Sequence, residues 1–174
     1  AVLPYYERFI RELPTPAHLA ACDPDRLHKL WEGLGYYSRV RNMKKCATQL
    51  VQKYGGQFPR SYEAVLALPG IGEYTAGAVC SIAFDQPVPA VDGNVLRVLS
   101  RIQDDATPID LPARKKAVQA ALAEIYPAEA GDFTQALMEL GATVCGPNRK
   151  PDCEHCPCNN FCLGRIRGTA EELP

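Results

Sequence analysis

Apolar residues recur at helical spacing along most of the chain, and no stretch alternates in the two-residue rhythm of a strand. Val2, Tyr6, Phe9, Ile10 and Leu13 share one face of a predicted first helix, which Pro14 ends. Thr15-Pro16 and Asp23-Pro24 each read as an N-cap with proline at the first helical position, opening short helices that end near Ala21 and Trp31. Ser38 to Tyr54 reads as a longer helix stopped by Gly55-Gly56, and Ser61 caps the next short one. The sequence LPGIG at 68–72 predicts a tight turn before a helix from Glu73 to about Phe84. A proline-bearing loop at 86–91 then leads to Asp92-Gly93-Asn94, with Asp92 capping a helix to Ile102. Asp110 and Asp132 are the expected caps of two more helices, the second ending near Val144. Periodicity stops after Cys145. The reading is all-α, with many short helices, a tail organised by cysteines and a seam between two lobes at the 86–91 loop.

Composition narrows this. Of the 174 residues, 47% are hydrophobic and 22% charged, which excludes disorder as the main state. No apolar run reaches the roughly 18 residues of a membrane span. Pro4, Glu7, Arg8, Arg11 and Glu12 interrupt any signal-peptide core, so the expected compartment is the cytosol, the bacterial nucleoid or the nucleus. Nineteen basic against 20 acidic residues give a net charge of −1, which excludes a strongly basic binder but not local basic faces. Such clusters occur at 39–45, 114–116, 149–150 and 165–167.

Five of the eight cysteines crowd the tail: Cys145, Cys153, Cys156, Cys158 and Cys162. Cys22, Cys46 and Cys80 sit at apolar helix positions and read as small core residues. Disulfides fit poorly in a chain with no mark of export. The spacing Cys145-x7-Cys153-x2-Cys156-x5-Cys162 supplies four thiolates from one loop, suited to zinc or to an iron–sulfur cluster. On chemistry alone the two remain open, and Cys158 is spare.

The 68–72 turn carries two glycines and opens a helix. Free amides at a helix start hold a phosphate without a basic side chain. Asp92 has two readings: an ordinary helix cap, or a carboxylate held beside a developing positive charge.

The segments WEGLGYYSR (31–39), LPGIGEYTAGA (68–78), VDGNVLRV (91–98) and MELGA (138–142), with the cysteine tail, resemble the helix-hairpin-helix DNA glycosylases and, within them, the adenine DNA glycosylases. The likeness runs from Ala1 to about Cys162. It implies a six-helix barrel lobe over 1–90, with the helix-hairpin-helix at about 61–84. A cluster lobe over 91–165 follows, and 166–174 begins a linker. Double-stranded DNA carrying an adenine opposite 8-oxoguanine or guanine would lie in the groove between the lobes. The protein would act as a monomer with no membrane partner, hydrolysing the N-glycosidic bond of adenine. By the same resemblance, Asp92 is the catalytic aspartate, Asn94 helps organise it, and Tyr74 stands where strand-cutting relatives carry lysine. A phenol forms no Schiff base, so β-lyase activity is not expected. Tyr36 matches an aromatic wedge, with Leu34 in the same recognition segment and Arg39 and the hairpin residues Gly70 and Gly72 also facing DNA. Cys145, Cys153, Cys156 and Cys162 would hold a [4Fe–4S] cluster that orders a basic loop containing Arg149 and Lys150.

Three features depart from the family pattern. Its general-acid glutamate belongs upstream of Ala1, so this chain is expected to bind DNA but release adenine slowly. The first cysteine gap is seven residues rather than six, which leaves Cys158 as a nearby substitute. A C-terminal domain that helps read 8-oxoguanine is not present, so weaker discrimination is expected. Other readings are an endonuclease III-like pyrimidine glycosylase/lyase, a non-catalytic DNA-binding module, and a zinc-stapled interaction domain.

Overall fold

The computed structural model describes residues 2–174. Among these residues every regular element is helical. No helix among them is long and apolar enough to cross a membrane. The chain divides into two compact units, one running to Gly72 and one from Glu73 to Pro174, so the 86–91 loop lies inside the second.

The first unit holds α1 (Leu3–Glu12), α2 (Pro16–Ala21), α3 (Pro24–Trp31), α4 (Tyr37–Tyr54) and α5 (Tyr62–Leu66). Short-range chemistry sets its helix starts. The Thr15 hydroxyl accepts from the His18 amide, Asp23 accepts from the Asp25 and Arg26 amides, and Ser61 accepts from Ala64. Each bond satisfies an amide that the helix itself leaves unpaired. Gly55, at φ +60°, closes α4. Leu13, Cys22, Leu27 and Val40 form one core cluster, with Phe9 and Trp31 packed edge to face beside it. Truncating Leu27 to alanine there would cost about 2–5 kcal/mol. Only part of the predicted apolar face of α1 is buried. Phe9 and Leu13 pack inward, whereas Val2, Tyr6 and Ile10 are exposed. A second cluster, Cys46, Leu50 and Leu68 with Tyr54 and Ile71, anchors the 68–72 turn on α4. Gly70 has φ +79°, and a Cβ there would stand 2.4 Å from the Asn42 side chain, so this turn requires glycine.

The second unit opens with α6 (Glu73–Ala78), which runs into a π-helical turn at Val79–Ala83. It continues with α7 (Gly93–Gln103), α8 (Pro112–Ile125), α9 (Ala130–Glu139), a second π turn at Leu140–Val144, and α10 (Leu163–Arg167). Val91, Val95, Leu96, Val118 and Leu122 form its core. Two expected caps differ. The residue preceding α8 is Leu111, with no side-chain cap, so Asp110 does not serve. The α9 start takes its carboxylate from across the fold: Asp85, at φ +53°, accepts from the Gly131 amide at 2.9 Å, and Asp132 lies inside the first turn.

Candidate active site and cysteine pocket

Asp92 is held between two buried valines, Val91 and Val95, at the start of α7. One carboxylate oxygen, Oδ1, accepts from the Val95 amide at 2.9 Å, so the capping role is present. The other, Oδ2, accepts from the Asn94 side-chain amide at 2.9 Å. A carboxylate offers about four acceptor positions, so two remain on a side chain that is partly exposed. Capping therefore fixes the group without consuming it.

Asn94 is itself fixed. Its Oδ1 accepts from Arg97 Nη2 at 2.8 Å, and the same guanidinium donates to the carbonyls of Gly141 at 2.6 Å and Cys145 at 2.9 Å. Arg97 is 7% exposed and Arg101, one turn further, 5%. Arg101 Nη1 donates to the Cys145 carbonyl, the Gly146 carbonyl and the Cys145 sulfur at 3.3–3.4 Å. Burial, foremost, and the Arg101 charge draw the Arg97 pKa below its ordinary value, against the charges of Cys145 and Asp92. Gly141 lies in the second π turn, where a Cβ would stand 2.6 Å from Asn94 Cβ. A continuous run of polar contacts thus links Asp92 to the cysteine tail. Neither arginine is among the site residues expected from sequence. Asn94, Arg97 and Arg101 share one face of α7 by their spacing, but nothing in that spacing marks the two arginines as buried.

Tyr74 in α6 is 38% exposed, and its hydroxyl donates to the Met138 thioether at 3.8 Å. Burial, and secondarily the Asp92 carboxylate, push the phenol pKa up. Asp92, Asn94 and Tyr74 therefore share one neighbourhood, although the direct hydrogen-bond partner of Tyr74 is Met138.

The recognition-segment residues belong to the first unit. Tyr36 is 74% exposed, sits in the left-handed region at φ 47°, and stacks beneath the Arg39 guanidinium at 4.8 Å. Leu34 is half-buried, and the Trp31 indole donates to the Gly35 carbonyl at 2.8 Å. Tyr37 is exposed and meets His28 edge to face. Gly70 and Gly72 lie in the turn described above. Arg149 folds back onto the Ala142 and Thr143 carbonyls, and Lys150 pairs with Glu171 at 3.5 Å on the surface.

All five tail cysteines line one pocket, with Val98, Ile102, Leu140 and Val144 on its apolar side and Arg101, Asp152, Asn159 and Arg165 also at its walls. No group of three His, Cys, Asp or Glu side chains among the described residues is arranged to hold a single metal ion. Cys162 is buried and its thiol donates to the Arg101 carbonyl at 3.3 Å. The Cys158 pKa is pushed up to about 11 by burial first and by the neighbouring thiols, Cys156 foremost, second. Cys153 is pushed up for the same reasons. Soft donors, a partly apolar lining and the Arg101 guanidinium beside one sulfur suit an anionic thiolate-ligated cluster.

The family model of the HhH-GPD superfamily base excision DNA repair protein matches residues 1–128. An adenine DNA glycosylase of Rattus norvegicus is 46% identical over 99% of this chain and 34% of its own length, so the chain spans about a third of that relative. A solved thermostable thymine-DNA glycosylase superposes with a TM-score of 0.84 at 29% identity, covering 95% of this chain and 76% of that one. A trapped endonuclease III–DNA covalent intermediate superposes with a TM-score of 0.80 at 28% identity, over 96% and 77%. The chain belongs to the HhH-GPD superfamily of base excision DNA repair proteins.

Proposed function

We propose that the protein removes adenine from double-stranded DNA where it is mispaired with 8-oxoguanine or guanine, with Asp92 as the group that faces the sugar. The observation that carries the reading is the Asp92 carboxylate, fixed by the Val95 amide and Asn94 yet partly exposed. Breaking the N-glycosidic bond sends its electron pair out with adenine and leaves positive charge at C1′. A preorganised carboxylate stabilises that charge or bonds C1′ transiently, and water then completes hydrolysis to adenine and an abasic sugar. The target base must leave the stack first.

Exposed Tyr36, braced by Arg39, is suited to wedge into the stack and offset that cost, with Leu34 beside it. The turn carrying Gly70 and Gly72 presents backbone to phosphate, and α6 starts directly after it. Lys150 exchanges its exposed ion pair with Glu171 for phosphate at little cost, because such pairs contribute about 0–1 kcal/mol. Arg149 first gives up its carbonyl contacts. Tyr74 lacks the amine that a lyase uses, so base removal proceeds without strand cleavage. Cys145, Cys153, Cys156 and Cys162 are the residues that would hold a [4Fe–4S] cluster, which supplies structural cross-linking rather than chemistry on the base. One protomer carries all of these residues, and the protein acts as a monomer.

The test uses a duplex with one adenine opposite 8-oxoguanine. The reading requires strand breaks that appear only after hot alkali, and no adduct on borohydride reduction. Alkali-independent cleavage with a trapped adduct would replace it by the endonuclease III-like lyase reading. DNA binding without base release would leave only the binding module.

A further inference from the structure

The Arg39 guanidinium lies over one face of the Tyr36 ring, 4.8 Å from its centre, and the tyrosine is otherwise largely exposed. Both residues belong to the first unit, at the start of α4, where the Arg39 amide donates to the Tyr36 carbonyl at 2.8 Å. The chain leading to the ring is tied as well. Gly33 and Gly35 take φ +96° and +67°, and the Trp31 indole donates to the Gly35 carbonyl at 2.8 Å. Tyr36 itself sits at φ 47°, a conformation that bulky side chains rarely adopt, so its neighbours hold it there against its own preference. Arg39 is exposed, yet no ion pair among the described residues includes it. An arginine on a face that meets DNA ordinarily reads as a phosphate contact. Here the planar group already has a partner that matches its shape and charge.

We infer that Arg39 acts on DNA through the Tyr36 ring, as the outer layer of a base–Tyr36–Arg39 stack, and not as a phosphate contact. The inference rests on the reading that Tyr36 enters the base stack. An inserted ring has two faces: a base takes one, and the guanidinium keeps the other. The cation is attracted to the ring more strongly once water is excluded, so insertion strengthens the contact. Before DNA arrives, the same contact restricts the rotation of the ring, and less freedom is lost on insertion. Two consequences separate this role from a phosphate contact. A guanidinium on a ring releases no counterion from DNA, so it adds nothing to the salt dependence of binding. Its effect also vanishes when the ring is removed, because two groups that act together are not additive.

The test measures binding to a duplex that carries 2′-fluoro-2′-deoxyadenosine, which resists cleavage, opposite 8-oxoguanine. A 2-aminopurine beside the 8-oxoguanine reports unstacking by its fluorescence. Arg39→Gln is made in three backgrounds, wild type, Tyr36→Phe and Tyr36→Leu, and each dissociation constant is followed over a salt series. Both side chains are exposed, so the variants should fold, and circular dichroism verifies it. Tyr36→Leu alone should weaken binding and remove the fluorescence change. Arg39→Gln should weaken binding about two- to fivefold, the scale of an exposed cation–π contact, with the salt slope unchanged. The loss should recur in Tyr36→Phe, which keeps a ring, and disappear in Tyr36→Leu. A salt slope that falls by about 0.9 on Arg39→Gln, the mark of one lost phosphate contact, would overturn this inference alone. So would an equal loss in the wild-type and Tyr36→Leu backgrounds, no loss in wild type, or no loss in Tyr36→Phe. A Tyr36→Leu protein that binds as tightly as wild type and gives the same fluorescence change defeats the wedge reading and this inference with it.

Discussion

Replacing Arg97 by methionine removes the centre of the contacts between Asp92 and the cysteine tail while preserving most of the side-chain length. Three acceptors lose a charged donor: Asn94 Oδ1, the Gly141 carbonyl and the Cys145 carbonyl. At about 1.5–3 kcal/mol for each hydrogen bond to a charged group, the gross loss is about 5–9 kcal/mol. Water entering the space and the packing of the methionine itself recover part of this. Breaking a buried charged arrangement costs about 3–5 kcal/mol in general, so we take about 4 kcal/mol. For a protein of this size that lowers the melting temperature by about 8–16 °C, at about 2–4 °C for each kcal/mol. Adenine release, measured under single turnover well below both melting temperatures, should fall further than unfolding explains, because Asn94 loses the anchor that directs it at Asp92. Arg97→Lys keeps the charge but not the planar fork, and should fall between wild type and Arg97→Met in both assays. A variant Arg97→Met that melts within about 2 °C of wild type, well under one such increment, and releases adenine at the wild-type rate would refute the reasoning.

Asp23→Ala removes a cap that accepts from two amides and should cost about 1 kcal/mol by chemical denaturation, while Asp23→Asn should be nearly neutral. Asp104 is held below its ordinary carboxylate pKa of 3.8, first by the Thr169 hydroxyl and then by Arg167. The stability it contributes is therefore complete above that ordinary value and lost as pH falls through the lower folded value. Melting measured between acid and neutral pH should show this acid-side loss, and Asp104→Asn should reduce it, the remainder coming from Asp105 and Asp152, whose pKa values are also lowered. Tyr74→Lys places an amine in the neighbourhood of Asp92, and borohydride reduction on a substrate duplex should then trap an adduct that the wild-type protein does not give.

The helix starts legible in the sequence were those decided within a few residues. Thr15, Asp23, Ser61 and Asp92 each cap their own helix, because donor and acceptor are three or fewer positions apart. Asp132 misled because the α9 cap comes from Asp85, 46 positions away. Asp92 and Asn94 were recognisable from their motif, but what holds them was not. The carbonyls that accept from Arg97 lie 44 and 48 residues further on, and an arginine on a helix ordinarily reads as a solvated charge. The two π turns left no pattern in the apolar spacing, yet one of them presents the Gly141 carbonyl to Arg97. The cysteine tail was legible as a donor set. That Cys158 joins the same pocket emerges only once the 156–162 turn is folded.

The central claim is that the Asp92 carboxylate acts on the sugar and does not merely end a helix. Asp92→Ser separates the two roles, because serine caps a helix about as well as aspartate but carries no negative charge. The decisive measurement is single-turnover adenine release by Asp92→Ser from a duplex with adenine opposite 8-oxoguanine, alongside its melting temperature. The account predicts near wild-type melting with release reduced by about 10²–10³-fold or more, the scale of losing one electrostatic transition-state contact. Wild-type release by a protein that melts normally would contradict it.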